Sequence, residues 1–374
     1  MQEIKKTRIV LASILKPLDD TRMVEKMGMS LLALGNDVEV HCIGFPSVEQ
    51  TRITKGINLH PLPRFKRLSL LRLIAPLKIV GLLIRLKPSL IIINTHELLL
   101  AAVLAKAITR SRIVYDVREN YFRNILFTNA FPSLLRPLLA TYVRLKEIVT
   151  SFFIDHFFLA ERAYEQELNF PGDRKTIIEN KVKLQHPIAS TRVKPPTAPA
   201  LLFSGTLAES TGVLTAIHIA TALHQLNPAV SLTIIGYAAQ TSFLEKIRKA
   251  IQDKPFITLI GGDTLVPHPT ILQAIQSADA GIVAYTINPS TENSTPTKVY
   301  EYFGHQLPII LINHKPWVDL CEPYCAAIPF DANNIMPHSI LDALRHQSFY
   351  EKTPENITWD GEEIKFLTVV KSLL

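Results

Sequence analysis

Short apolar runs alternate with helical patterns along the whole chain, and the alternation restarts once. The runs of the first half are 9–13, 38–44, 90–94, 112–117, 157–160 and 176–180. Those of the second half are 200–205, 232–236, 257–261, 280–285, 308–312 and 326–330. Continuous apolar strands between helices are typical of parallel sheets that are covered on both faces. We therefore predict an α/β chain with two parallel-sheet domains.

A proline-rich segment separates the two halves. Residues 186–200 contain four prolines, at 187, 195, 196 and 199, so this stretch cannot form a helix interior or a central strand. A chain of 374 residues also exceeds the about 250–300 residues at which a single core stops growing. The prediction is a first domain over 1–185, a linker over 186–199 and a second domain over 200–360. In open α/β sheets ligands bind at the carboxyl ends of the strands, so the site is expected there.

Composition narrows the class of protein. The chain is 47% hydrophobic and 20% charged, which excludes a disordered protein. Its three cysteines are too few for a disulfide framework and fit a reducing, cytoplasmic compartment. Neither a secretory signal nor a 20-residue spanning segment is visible, and no metal-binding cluster is expected.

Charge is distributed unevenly between the halves. Residues 1–195 carry 30 Lys and Arg against 17 Asp and Glu, whereas the remainder carries 10 against 16. The basic half favours an anionic partner. Segment 64–87, which combines seven cations with a long apolar face, predicts contact with anionic lipid at the inner face of the plasma membrane. The alternative is a crossover helix packed on the sheet. Nucleic acid is not expected, since no motif for it is present.

Several catalytic fingerprints are absent from the sequence. No G-x-G-x-x-G follows a strand, no G-x-x-x-x-G-K-[ST] occurs, and there is no G-x-S-x-G. These absences remove support for nicotinamide or flavin binding, for a P-loop NTPase and for a hydrolase of the elbow type. No bound cofactor is therefore expected.

The segment 288–311 is the most informative for chemistry. Thr295 is a natural N-cap and Pro296 suits a first helical turn, which predicts a helix over about 296–304. Lys298 and Glu301 then share one helix face. A cation at a helix N-terminus favours phosphate oxygens, and a carboxylate one turn on can accept both hydroxyls of a ribose. The alternative is a surface ion pair.

This segment resembles the sugar-nucleotide motif of glycosyltransferase family 4, with its P-x-K-x-x-E-Y stretch. The similarity continues through the segments 95–106, 113–121, 202–217 and 357–374 in the family's order. It implies the GT-B fold: two Rossmann-like domains facing a cleft, with a closing helix at about 361–374 joined to the first domain. It also implies a retaining, metal-independent hexosyltransferase that uses a nucleoside diphosphate sugar and a hydroxyl acceptor, in cell-surface polysaccharide or glycolipid assembly.

The resemblance implies that Glu301 binds the ribose and that Lys298 binds the diphosphate. It gives His96 and Arg118 a place facing the transferred sugar. Gly205 and Gly212 would let backbone amides approach the phosphates. The alternative is that they only form a strand end and a turn before a helix, as glycines often do in such loops. Asp116 and Glu119 follow a strand and are expected on the acceptor side, with first-turn capping as the alternative.

The sequence departs from the family pattern at four positions. Thr206 and Thr211 stand where members carry basic residues for the diphosphate, Asn293 replaces a first glutamate, and Arg118 replaces a histidine. These departures leave two other interpretations open. One is a non-catalytic GT-B protein that binds a sugar nucleotide or a partner transferase, and the other is a sugar-nucleotide epimerase. The basic half favours a lipid-linked acceptor for the transferase.

Overall fold

The computed structural model describes residues 6–46, 55–63, 70–128, 131–184 and 197–374. The chain divides into two compact units. Unit 1 comprises Met1–Lys183 and Trp359–Leu374, and unit 2 comprises Leu184–Thr358. The predicted linker, 186–199, lies outside the described residues except for its last three positions.

Unit 1 is built on a seven-stranded sheet in which every pairing is parallel. The strand order is β3-β2-β1-β4-β5-β6-β7. The strands are β1 (Thr7–Pro17), β2 (Val38–Phe45), β3 (Ile57–Pro61), β4 (Leu90–Ile93), β5 (Arg112–Val117), β6 (His156–Leu159) and β7 (Lys175–Ile177). Six of them overlap the apolar runs predicted from the sequence, β7 by only two residues. β3 was not predicted, because this edge strand is only partly buried and lacks a continuous apolar run.

The helices of unit 1 cover both faces of its sheet. A π-helical segment (Thr21–Gly28) continues as α1 (Met29–Leu32). The other α-helices are α2 (Leu70–Leu86), α3 (Leu99–Thr109), α4 (Tyr121–Phe127), α5 (Arg136–Ser151), α6 (Tyr164–Glu167) and α13 (Trp359–Leu373). Three short 3-10 helices occur at His96–Leu98, Ser133–Leu135 and Gly172–Arg174. Alternate strand residues enter two separate buried clusters, one on each face.

Helix α13 belongs to unit 1 although it follows unit 2 in the chain. Its Trp359 and Phe366 side chains are fully buried in the unit 1 core. The Trp359 amide donates to the Val182 carbonyl at 2.7 Å, and Lys181 Nζ lies 2.7 Å from the buried Glu362 carboxylate. Apolar packing and a buried ion pair therefore both hold α13 in unit 1.

Unit 2 repeats the design with six parallel strands in the order β10-β9-β8-β11-β12-β13. The strands are β8 (Ala200–Thr206), β9 (Ser231–Tyr237), β10 (Ile257–Gly262), β11 (Ala280–Val283), β12 (Ile309–Ile312) and β13 (Ala327–Phe330). The α-helices are α7 (Val213–Leu226), α8 (Thr241–Ile251), α9 (His268–Ser277), α10 (Thr297–Gly304), α11 (Lys315–Cys321) and α12 (Pro337–His346). Short 3-10 helices lie at Glu209–Thr211 and Glu322–Tyr324. Each predicted strand of this half is present.

Segment 64–87 is only partly described. Arg64, Lys66 and Arg67 lie outside the described residues. In α2 the buried residues Ala75, Ile79 and Leu83 pack into the core of unit 1, as a crossover helix would. Within the described ranges, we find no helix with the length and hydrophobicity to cross a membrane.

Candidate functional site

The strand order of unit 2 places a topological switch point between β8 and β11. From β8 the chain proceeds through β9 to β10, then returns to pair β11 on the other side of β8. Helices that leave neighbouring strands in opposite directions open a crevice at the carboxyl ends of those strands. Gly205 and Thr206 end β8, and Ala284 and Tyr285 follow β11 at this point. The sequence-predicted donor residues surround the same strand ends.

Two glycines allow the backbone to close around the switch point. Gly212 precedes α7 with φ 77°, and a Cβ atom there would lie 1.7 Å from the Ala284 carbonyl oxygen. Gly205 has φ 98°, and a Cβ atom there would lie 3.8 Å from Lys298 Cε. Only glycine fits the first position, and both backbone conformations disfavour other residues.

Lys298 lies in the first turn of α10 and is buried, with 5% of its surface exposed. Its Nζ atom has no hydrogen-bond partner among the described residues. It lies 3.9 Å from the centre of the Phe203 ring and 5.1 Å from that of Tyr285. Burial lowers the pKa of Lys298 to about 7, although the charge of Glu301 acts in the opposite direction. No carboxylate of the described residues therefore forms a hydrogen bond with this ammonium.

Glu301 follows one turn after Lys298 on the same helix. The predicted helix start is one residue too early, since α10 begins at Thr297 with Pro296, not Thr295, in the N-cap position. Glu301 Oε1 lies 3.5 Å from His268 Nε2, and both side chains keep a small exposed fraction. His268 was not identified from the sequence. The available signal was a histidine that opens a helix shortly after the end of β10.

The two threonines that replace basic residues differ in their surroundings. Thr206 is exposed at the end of β8. Thr211 is buried, donates its hydroxyl to the Thr206 carbonyl at 2.8 Å and accepts from the Ala208 amide at 3.2 Å. Thr211 therefore closes the turn before α7. Of the predicted donor residues, Thr206 and Thr211 are joined directly by this hydrogen bond, and Gly205 lies beside the Lys298 side chain.

Unit 1 has its own switch point between β1 and β4, and His96 lies just after β4. Lys146 Nζ lies 2.9 Å from His96 Nδ1. Lysine only donates, so Nδ1 accepts and the neutral ring carries its proton on Nε2, which faces Glu97 at 3.6 Å. Burial lowers the pKa of His96 to about 4, against the charge of Glu97. His96 is thus a neutral imidazole at pH 7.

Arg118 is engaged by a carboxylate within unit 1. Its guanidinium donates to Asp20 at 2.7 and 3.2 Å, and both side chains are 10% exposed. Burial of Asp20 acts to raise its pKa, but the charge of Arg118 and its hydrogen bonds outweigh this and lower the pKa to about 2. Asp20 also caps the helical segment that follows, by accepting from the Met23 amide. The pair fixes the direction of Arg118.

The two acidic residues expected on the acceptor side have different surroundings. Asp116 is 1% exposed and receives the Arg22 guanidinium at 2.6 and 3.0 Å. In this arrangement no acceptor hydroxyl can reach Asp116 unless the pair opens. Glu119 is 43% exposed, accepts from Asn124 Nδ2 at 2.8 Å and lies 3.8 Å from Lys16. Glu119 is the member that faces solvent.

In the described ranges, no three His, Cys, Asp or Glu side chains are grouped so that they would hold a metal ion. The cysteines are all free: Cys42 and Cys321 are buried and Cys325 is exposed. No disulfide therefore constrains the described chain.

Comparison with known proteins gives matches in structure but not in sequence. No protein-family model matches the chain, and no curated protein matches it. Sucrose-phosphate synthase (tll1590) from Thermosynechococcus elongatus superposes with a TM-score of 0.72 and 14% identity, over 98% of this chain and 99% of that one. Alr3699/HepE of Anabaena, solved with UDP and glucose, gives 0.68 and 12%, over 98% and 100%.

A third similar structure is described as a putative UDP-N-acetylglucosamine 2-epimerase from Listeria monocytogenes. Its TM-score is 0.60 at 11% identity, over 98% of this chain and 96% of the other. These matches extend over nearly the full length of each protein. With the two parallel sheets of seven and six strands, they show that the chain has the GT-B fold, built from two Rossmann-like domains.

Proposed function

We propose that this protein is a glycosyltransferase that moves a hexose from a nucleoside diphosphate sugar to a hydroxyl acceptor. The observation that carries the proposal is the Lys298 ammonium, which is buried at the switch point of unit 2 without a hydrogen-bond partner among the described residues. A buried cation is costly unless an anion pairs with it. A diphosphate supplies that anion, and the fold places such ligands at this position.

The neighbouring groups fit the other parts of the donor. Glu301 lies one turn from Lys298 and would accept the ribose hydroxyls, with His268 beside it at 3.5 Å. The backbone at Gly205 and Gly212 would approach the phosphates, because neither residue has a side chain in the way. The structure of Alr3699/HepE with UDP-glucose, on the same fold, supports this class of donor.

Catalysis in this proposal is mainly electrostatic. Negative charge develops on the departing diphosphate, and Lys298 and the nearby amides would stabilise it. In the retaining reaction the leaving phosphate takes the acceptor proton on the face where the new bond forms. In this proposal Lys298 and the amides neutralise the diphosphate in place of a metal ion. His96 and Arg118 would face the sugar; the neutral His96 ring donates through Nε2 and Arg118 is oriented by Asp20.

The finer assignments are also proposals. The acceptor is lipid-linked, the pathway is cell-surface polysaccharide or glycolipid assembly, and the protein works in the cytoplasm at the inner face of the plasma membrane. The excess of Lys and Arg in residues 1–195 supports an acceptor at an anionic surface.

The test is a thermal-shift and hydrolysis screen of the purified protein against UDP-, GDP- and ADP-sugars, with Glu301→Ala as the control variant. A transferase gives a stabilising shift with one donor and slow donor hydrolysis, and both are lost in the variant. No shift with any sugar nucleotide would refute the donor site.

The similarity to a putative epimerase gives a second candidate of the same donor class. An epimerase would convert the sugar of the donor without any acceptor, and NMR of the recovered sugar nucleotide detects that product. A non-catalytic protein is favoured by the threonines at 206 and 211 in place of cations. It would show the stabilising shift without hydrolysis or conversion.

A further inference from the structure

The outward side of α5 in unit 1 is covered by large apolar side chains. Leu138, Tyr142, Leu145, Val149 and Phe152 recur at intervals of four, three, four and three residues, so they lie on one stripe. All of them are exposed, Leu138 by 69% and Phe152 by 76%. The opposite side of α5, with Ala140 and Val143, is buried. The helix is therefore apolar on the side that faces solvent as well.

The neighbouring elements extend this surface. Leu134, in the short helix that precedes α5, is 92% exposed. Helix α3 packs beside α5 and α2 beside α3. We define the apolar face as the exposed large apolar residues of these elements: Ile74, Leu77, Leu100, Leu104, Ile108, Leu134, Leu135, Leu138, Tyr142, Leu145, Ile148, Val149, Phe152 and Phe153. Single exposed apolar residues are ordinary, but such a concentration marks an interaction site.

The exposed charges on the helices that carry the apolar face are positive, and the nearby Glu97 and Asp155 carboxylates are paired with Arg72 and Lys106 of these helices. Helices α2, α3 and α5 together contain a single acidic residue, Glu147, whose side chain is 2% exposed. By contrast, Lys78, Arg85 and Lys87 are exposed along or just after α2, and Arg110 is exposed at the end of α3. The partner of this surface must therefore accept apolar side chains and carry negative charge.

We propose that the apolar face docks on the surface of an anionic lipid bilayer, with its large side chains in the acyl boundary and the flanking cations at the head groups. An interfacial element combines these two features. A second copy of the chain fits less well. A two-fold interface brings the same patch of each copy together, which would place these cations opposite one another.

The position of the surface differs from the sequence-based expectation. Segment 64–87 was the predicted membrane contact, but part of the apolar side of α2 is buried in the core of unit 1. Helix α5 lies outside that segment and supplies the longest exposed stripe. The proposal does not depend on the donor site, because that site belongs to unit 2.

The experiment is cosedimentation of the full chain with vesicles of phosphatidylglycerol and phosphatidylcholine, compared with vesicles of phosphatidylcholine alone. We expect binding to the anionic vesicles and binding at least about tenfold weaker to the neutral ones. The double variant Leu138→Glu, Phe152→Glu should lose at least about tenfold in binding. Ile364→Glu is the matched control, since Ile364 is 70% exposed on α13 of the same unit and lies outside the apolar face. It should bind like the parent protein.

A second variant tests membrane contact even if the double variant does not fold. Tyr142→Trp places an indole within the apolar face, and its emission should shift to shorter wavelength with anionic vesicles. Absence of vesicle binding, or equal binding by the double variant, would overturn the proposal. A lipid-free dimer in analytical ultracentrifugation that the double variant converts to a monomer would also overturn it, in favour of self-association.

Discussion

The Nζ atom of Lys298 lies over the face of Phe203, 3.9 Å from the ring centre. Such a cation–π contact contributes about 2 kcal/mol when it is desolvated, which does not replace the lost hydration of a buried ammonium. The same loss of hydration lowers the pKa of Lys298 to about 7. Burial of Lys298 therefore lowers the stability of the folded chain, and a bound anion would offset that cost.

Replacement of Lys298 should stabilise the ligand-free protein. The pKa of Lys298 is lower in the folded chain than its usual 10.5, so the unfolded chain binds more protons between about pH 7 and 10.5. The penalty is complete below pH 7 and is relieved as the pH rises through this window. Lys298→Met should raise the Tm at pH 6.5 by about 3 °C or more, and the gain should shrink toward pH 10. Differential scanning calorimetry measures both.

Lys246→Met, at an exposed position of α8, is the control and should leave the Tm unchanged. A Lys298→Met protein that melts below the parent at pH 6.5 would show that the ammonium has a partner that stabilises the fold.

Glu301 and Lys298 should contribute to different parts of one ligand. Glu301→Gln removes a charged acceptor for the ribose, which corresponds to about 10- to 100-fold in nucleotide affinity. It should leave the affinity for inorganic pyrophosphate unchanged, because pyrophosphate has no sugar. Lys298→Met should weaken both ligands. Isothermal titration calorimetry gives the dissociation constants of UDP and pyrophosphate for both variants and the parent protein. If Glu301→Gln weakened pyrophosphate as much as it weakens UDP, the assignment would be contradicted.

Gly212 and Gly361 should respond in opposite ways to alanine. At Gly212 the added Cβ atom would lie 1.7 Å from the Ala284 carbonyl oxygen, on a backbone with positive φ. Gly212→Ala should therefore lower the free energy of unfolding by about 3 kcal/mol or more. Gly361 lies in α13 with no atom within 4 Å of its Cβ position, so Gly361→Ala should raise it by about 0.5–1 kcal/mol. Urea denaturation tests both; a neutral Gly212→Ala would contradict the close approach of this turn to the Ala284 carbonyl.

Asp116 should matter more for stability than Glu119. Asp116→Asn removes one partner of a buried ion pair and leaves the Arg22 charge uncompensated, at a cost of about 3–5 kcal/mol. Glu119→Gln, at a 43% exposed side chain, should cost about 0.5 kcal/mol or less. Unfolding free energies of the two variants decide the point. If Asp116→Asn is as stable as the parent protein but loses acceptor-dependent turnover, Asp116 contacts the acceptor instead.

The sequence predicted most of the fold because buried parallel strands leave continuous apolar runs. It did not predict β3, whose residues 57–61 are partly exposed, and it placed the start of α10 one residue early. The residues that we propose for donor binding in unit 2 could be named from the sequence because their signals are local: a glycine at a strand end, a turn before a helix and a proline at a helix start.

Partners distant in sequence could not be predicted in this way. Arg22 and Asp116 are 94 residues apart, and Asp20 and Arg118 are 98 apart. Neither pair forms a motif, since each depends on the packing of the segment after β1 against the end of β5. The contact between His268 and Glu301 was missed for the same reason.

Because α13 packs in unit 1, it also affects the order in which the two units can complete their folding. During synthesis the ribosome delivers Trp359 and Phe366 only after all of residues 184–358 have been made. Unit 2 can therefore complete its core first, while one face of the unit 1 sheet still lacks the two aromatic side chains that α13 contributes to its buried cluster. The part of the sheet that α13 covers therefore stays uncovered in the nascent N-terminal half until α13 has been made, a state on which chaperones act.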